Sequence, residues 1–216
     1  LVDLQRFDIE RIHGLKAWKV TETDSGLVMG IHLEPQKKTS TDTSKTKTKA
    51  KLESKDNGSK LIVFQGQLRK EFLFVKDFSL AEKSTAMLIL STNADSIPKN
   101  LVQFIPSMAL NDAPILIKEG TETIKNLVLH PKLNICSFML DLDTSKTNVN
   151  RKNQLHIWKN GTLQTVKLEQ VDSKGLLVSE HTVPSFVPKT NHLIFGLAKP
   201  LAVQDTNMVP DEVVNV

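Results

Sequence analysis

The chain has 216 residues, 39% of them hydrophobic, a lone cysteine and a formal net charge of +4. That is enough apolar material for a packed core in one or two domains. Cys136 alone permits no intrachain disulfide and no thiol cluster for zinc. No run of 18 apolar residues occurs, which argues against a membrane-spanning helix.

Residues 1–12, LVDLQRFDIERI, fit helical and strand spacing about equally, and they lack the basic patch, apolar stretch and small-residue cleavage site of a secretory signal. With no initiator Met, the sequence reads as a mature product or an excised piece. Residues 15–34 read as two strands closed by a turn at Asp24, Ser25 and Gly26. Residues 36–59 follow, with seven lysines against Asp42, Glu53 and Asp56, so this segment carries the whole net charge. A nucleic-acid-binding face would spread its cations over folded surface with interleaved aromatics. This Lys/Thr/Ser tract has no aromatic and is expected to be a solvated, mobile, disordered insertion.

LIVFQ (61–65) and EFLFV (71–75) read as strands, with GQLRK as a five-residue hairpin loop between them. KDFSL to AMLILST supplies another hairpin, then LVQFI (101–105) and PILIKEG (114–120) an outer pair. The stretch at 124–142 gives a third hairpin. QLHIW (154–158) and TLQTVKLEQV (162–171) flank Asn160-Gly161, a dipeptide suited to a type I′ turn. A fourth hairpin occupies 182–198, and EVVNV closes the chain as a strand.

The four hairpins share one spacing: two apolar positions one apart, six intervening residues, then two more. Trp18 and Val20 lead to Leu27 and Met29; Phe78 and Leu80 to Met87 and Ile89; Leu127 and Leu129 to Cys136 and Phe138; Pro184 and Phe186 to Leu193 and Phe195. Alternation about a short turn marks hairpins with one buried face. Such units returning every 50–60 residues or so mark a repeat array, and all-strand units of this size point to propeller blades. The sequence thus predicts an all-β fold of antiparallel β-propeller blades over residues 1–216, about three to four of them, a partial propeller. An irregular antiparallel sandwich is the competing fold. Phe78, Leu129, Cys136, Phe138, Phe186 and Phe195 are the expected core.

Catalytic motifs are missing. There is no Gly-x-Ser-x-Gly, although Ser25 and Ser59 each adjoin a glycine, no phosphate-binding or dinucleotide-binding glycine loop, and no His-Glu-x-x-His. His13, His32, His130, His156, His181 and His192 lack ligand spacing and read as exposed or capping residues. Asp141 and Asp143 suit a strand-end turn better than a calcium loop. Trp158 and Cys136 read as packing groups. No residue is assigned as catalytic, cofactor-binding or metal-ligating, and no cofactor is implied.

SFVPKTNHLIFGLAKP, followed by QDTNMVPDEVVNV, resembles the propeller of secreted Bacteroidetes-type serine peptidases of the prolyl oligopeptidase family. VTETDSGL, LAEKSTAM and FVPKTNHL stand where that family carries its blade-core turn, and the Lys-rich insertion and KNLVLHPKLNICSFMLDLD fit the same order. The usual Asp-Gly of these turns is replaced by Lys-Ser, Lys-Leu and Lys-Thr, a mark of a divergent or a non-peptidase member. The resemblance implies a propeller capping a C-terminal α/β-hydrolase domain of the same parent protein, where the catalytic triad lies, and gating its peptide substrates. It implies a periplasmic or secreted location for the parent. A non-enzymatic propeller scaffold in an envelope complex, and a freestanding β-sandwich, are the alternative readings.

Overall fold

A computed structural model describes residues 2–3, 8–9, 11–35, 58–93, 95, 97–107, 112–143, 145, 148, 150–168 and 175–201. The Lys-rich residues 36–57 and the terminal EVVNV lie outside the described residues. Near the N-terminus, β1 (Val2–Asp3) pairs antiparallel with β2 (Asp8–Ile9), so this part of 1–12 takes the strand option. No helix long and apolar enough to cross a membrane occurs among the described residues.

Seven strands follow in one antiparallel sheet whose spatial order is the chain order. They are β3 (Leu15–Thr23), β4 (Gly26–Leu33), β5 (Ser59–Gln65), β6 (Leu68–Leu80), β7 (Met87–Thr92), β8 (Asn100–Ile105) and β9 (Ile115–Gly120). A second, four-stranded sheet runs through β10 (Thr123–Leu129), β11 (Ile135–Asp141), β12 (Asn153–Lys159) and β13 (Thr162–Thr165). Two short pairs complete the fold: β14 (Leu177–Val178) with β17 (Leu197–Ala198), and β15 (Ser185–Phe186) with β16 (Leu193–Ile194). No described sheet closes on itself.

All four hairpins form where the alternation places them, at β3/β4, β6/β7, β10/β11 and β15/β16. Asn160 and Gly161 join β12 to β13 with φ of 49° and 86°, the pair of positive values that a type I′ turn requires. The expected GQLRK loop is corrected. Only Gly66 and Gln67 turn, and Leu68, Arg69 and Lys70 already pair with Gln65, Phe64 and Val63. Similarly, within the described part of TLQTVKLEQV (162–168) the strand covers Thr162–Thr165.

Strand β6 is 13 residues long because it serves two neighbours in succession. Its first part pairs with β5 and its second with β7, and the register shifts between Val75 and Asp77. Phe74 sits at φ 58° just before that shift, and a positive φ with an unpaired residue is how a bulge bends a strand. Gly58 faces the bend: a Cβ there would run into the Phe74 carbonyl group. The seven-stranded sheet is therefore two four-stranded meanders sharing a bent strand. Unit I is β3–β4–β5–early β6, unit II is late β6–β7–β8–β9, and unit III is β10–β13. The two short pairs are labelled unit IV.

Packing between units is regular. Strands paired directly opposite one another share a face, so each unit has a motif face and an opposite face offset by one residue. The motif face of unit II (Phe78, Met87, Ile89) is buried with Val28, Leu61 and Val63 of unit I. That of unit III (Leu129, Cys136, Phe138) is buried with Leu88, Leu90 and Phe104 of unit II. Leu193 and Phe195 of unit IV pack on Met139 and Leu155 of unit III. Successive first strands lie near one another, β3 beside β6, β6 beside β10 and β10 beside β15. Five of the six expected core residues are buried, and Phe195 is partly so. The first hairpin departs from its expected buried face, because Trp18, Val20 and Leu27 are 62%, 44% and 61% exposed.

Candidate functional site

Ser59 opens β5 and His32 nearly ends β4, and the pairing of these strands brings Ser59 Oγ to 2.9 Å from His32 Nε2. That is the distance between a serine nucleophile and its base. No sequence motif announces it, since the two residues stand on either side of the Lys-rich tract. The proton arrangement, however, is the wrong one for activation. Nε2 also lies 2.9 Å from the Val75 carbonyl, which only accepts, so the imidazole donates from Nε2. The Ser59 hydroxyl in turn donates to the Leu33 carbonyl. Burial, reinforced by Lys16 and Lys19 and opposed by the Val75 carbonyl, holds His32 below its ordinary pKa. Both side chains are buried. The pair therefore ties β4 and β5 to the bend in β6.

The other histidines divide into two groups. His13, His181 and His192 are exposed as expected, whereas His32, His130 and His156 are buried. His130 Nδ1 accepts the backbone N–H groups of Lys132 (3.1 Å) and Leu133 (3.0 Å). The remaining ring proton thus sits on Nε2, which donates to the Thr190 carbonyl at 2.9 Å. His130 caps its own turn and ties the β10/β11 turn to the β15/β16 turn, with its ring edge-on to Phe186. His156 stacks on Phe138 with planes 7° apart, and Thr165 Oγ1 lies 3.3 Å from Nδ1. Its Nε2 and Glu122 Oε2 are buried without a partner among the described residues. Burial, assisted by Lys118, keeps this imidazole below its ordinary pKa and hence neutral at pH 7.

Asp141 and Asp143 form a strand-end turn. Asp143 N–H donates to Asp141 Oδ1 (3.1 Å), and Asp143 Oδ2 accepts the Lys152 N–H (2.6 Å). Asp141 Oδ2 is ion-paired to Arg151 and Lys125, and Lys125 reaches on to Glu180 (3.0 Å). Burial alone would raise the Asp141 pKa. The Arg151 hydrogen bond, the Asp143 N–H and Lys125 outweigh it, leaving the carboxyl below its ordinary value. Two cations already neutralise this acid, so its chemistry is that of a latch between units III and IV.

Trp158 packs on Phe104 with centroids 5.0 Å apart and is buried. Cys136 is wholly buried, and burial pushes its thiol up to about 12, opposite to what a nucleophilic cysteine needs. Among the described residues no three His, Cys, Asp or Glu side chains converge as a metal would require. Among the described residues a shallow groove on unit I is lined by Ile12, Leu15, Trp18, Met29 and Ile31. None of these ionises, so the groove offers contact rather than catalysis. Comparison with family models, curated proteins and solved structures finds no match to this chain.

Proposed function

We propose that this chain is a run of β-propeller blades from a prolyl-oligopeptidase-like serine peptidase, a non-catalytic segment gating peptide access to a hydrolase domain elsewhere in the parent. Each blade is one four-stranded meander: unit I, unit II, unit III and the beginning of unit IV. The observation carrying the blade reading is the invariant stacking, in which each motif face lies on the opposite face of the unit before it. Blades arranged around an axis bring their first strands together, in keeping with the neighbouring first strands here. The peptidase part rests on the order of the blade-core turns and on SFVPKTNHLIFGLAKP.

In this reading the chain's work is steric and needs no reactive group. A ring of rigid sheets admits a flexible peptide and excludes a folded protein from a sequestered site. The committed hydrogen bonds of His32, Ser59 and His130 suit that role, because they stiffen the bend and the turns.

The test is activity-based labelling. The 216-residue chain should neither hydrolyse peptides nor react with a fluorophosphonate, while the natural longer protein should do both. Labelling of Ser59 in the short chain would refute the structural role of the His32 pair. An unlabelled parent would favour the scaffold alternative, in which the Lys-bearing blade turns present a protein-binding surface in a bacterial envelope complex.

A further inference from the structure

Unit I carries the same motif positions as the later units and buries them least. Phe78 and Leu127, the counterparts of Trp18, are 1% and 8% exposed, against 62% for Trp18 itself. Met87 and Cys136, the counterparts of Leu27, are wholly buried, against 61% exposure for Leu27. In every later unit it is the preceding unit that covers these positions. The covering surface is apolar each time: Val28, Leu61 and Val63 on unit I, Leu88, Leu90 and Phe104 on unit II, and Met139 and Leu155 on unit III.

The far end of the stack is complementary. On unit IV the offset residue Ile194 is 59% exposed, and nearby Val183 is 61% exposed. The stack therefore presents an uncovered motif face at one end and uncovered apolar residues at the other. Exposed apolar surface of this kind, at positions that are interface everywhere else in the molecule, marks a missing neighbour.

We infer that the outer face of β3 and β4, centred on Trp18, Val20, Leu27 and Met29, is a docking surface for one further four-stranded antiparallel unit of the same polypeptide. The occupant presents its apolar, offset face, as units I to III do to their successors. This rests on the blade reading but not on the peptidase reading, since it concerns only how units stack. Continuity favours such a unit: the exposed surface prolongs the series of three unit-to-unit contacts, each made through the same two faces. The groove lined by Leu15, Trp18 and Ile31 gives such a unit a recess to key into.

Hydroxyl-radical footprinting read by mass spectrometry tests this directly, because tryptophan and methionine side chains are among the most readily oxidised. The 216-residue chain and the natural full-length protein are compared, with buried Trp158 as the internal control. In the short chain Trp18 should label strongly and Trp158 weakly. In the full-length protein Trp18 labelling should fall by roughly fivefold or more, following the loss of accessible surface seen at its counterparts. Val20→Glu should leave the melting temperature of the short chain unchanged and lower that of the full-length protein. Equal Trp18 labelling in both proteins would overturn the inference, as would a natural polypeptide with no further sheet unit. Protection of Trp18 in the short chain that grows with concentration would also overturn it, by making a second copy the occupant. Fluorophosphonate reactivity plays no part in these readouts, so failure here and failure of the peptidase reading are separable.

Discussion

Gly30 lies in β4 where unit I meets unit II, and replacing it with alanine isolates the packing between them. A Cβ at this position would stand 2.5 Å from Phe78 Cε2 and 3.1 Å from Cζ. Phe78 cannot easily yield. It is 1% exposed, the His32 ring meets its edge, and the Lys19 ammonium sits 4.8 Å from its centroid. Overpacking a core of this density costs about 1–3 kcal/mol. Against that, Gly30 does not occupy the left-handed region, so alanine would recover about 0.5–1 kcal/mol of the backbone entropy that glycine loses in a strand. The steric effect wins, and Gly30→Ala should destabilise by about 1–2 kcal/mol. Urea unfolding followed by tryptophan fluorescence measures this as a lower midpoint at constant slope. Phe78→Leu should cost less in the Gly30→Ala background than alone, with a coupling of roughly 1 kcal/mol in a double-mutant cycle. A Gly30→Ala protein as stable as the parent, or strictly additive substitutions, would refute this account of the interface.

Phe138→Ala should cost about 3–5 kcal/mol through lost transfer energy and a cavity, whereas Trp18→Ala should change the short chain by less than about 0.5 kcal/mol; a reversed order in denaturant midpoints would invert the assignment of faces. Cys136, with its thiol pushed up to about 12 by burial, should resist a maleimide at pH 7 until denaturant opens unit III, and prompt labelling of the folded chain would contradict its burial. His32 and His156 are both held below the ordinary histidine value of 6.5 by burial. The unfolded chain then binds more protons, so stability is complete above about pH 6.5 and falls as the pH drops through the lowered folded values; a denaturation midpoint that rises between pH 7 and 5 would contradict this. Lys189 holds φ 64° in the β15/β16 turn, so Lys189→Gly should stabilise by up to about 1 kcal/mol in thermal melts, and a loss would show that the lysine side chain contributes more than its backbone strain costs.

The hairpins were legible because each is a local pattern: alternation, a polar turn and alternation again. Asn160-Gly161 was legible for the same reason, as its turn chemistry is written in two adjacent residues. The start of β6 was not, because Arg69 and Lys70, following Gly66 and Gln67, look like loop composition. They are strand residues whose charges face solvent, with Arg69 paired to Glu71 at 2.8 Å and lying over the Phe64 ring. The buried histidines were illegible for a different reason. Their partners are backbone carbonyls, Val75 for His32 and Thr190 for His130, and a carbonyl leaves no trace in residue identity. The same holds for the Ser59–His32 approach, which depends on the pairing of β4 with β5 across an intervening tract.

The exposed first hairpin shows what the repeated spacing encodes. If the alternation existed to stabilise each hairpin alone, Trp18 and Val20 would be as well covered as Phe78 and Leu80. The register differs by two residues, Val20 opposing Met29 where Leu80 opposes Met87, yet in both hairpins the paired apolar residues share one face and do not cover it themselves. Coverage tracks instead the presence of a preceding unit. A single meander exposes both faces, and only stacking removes the motif face from water. The apolar spacing is therefore an instruction for assembly between units, read three times within this chain and left unread at Trp18.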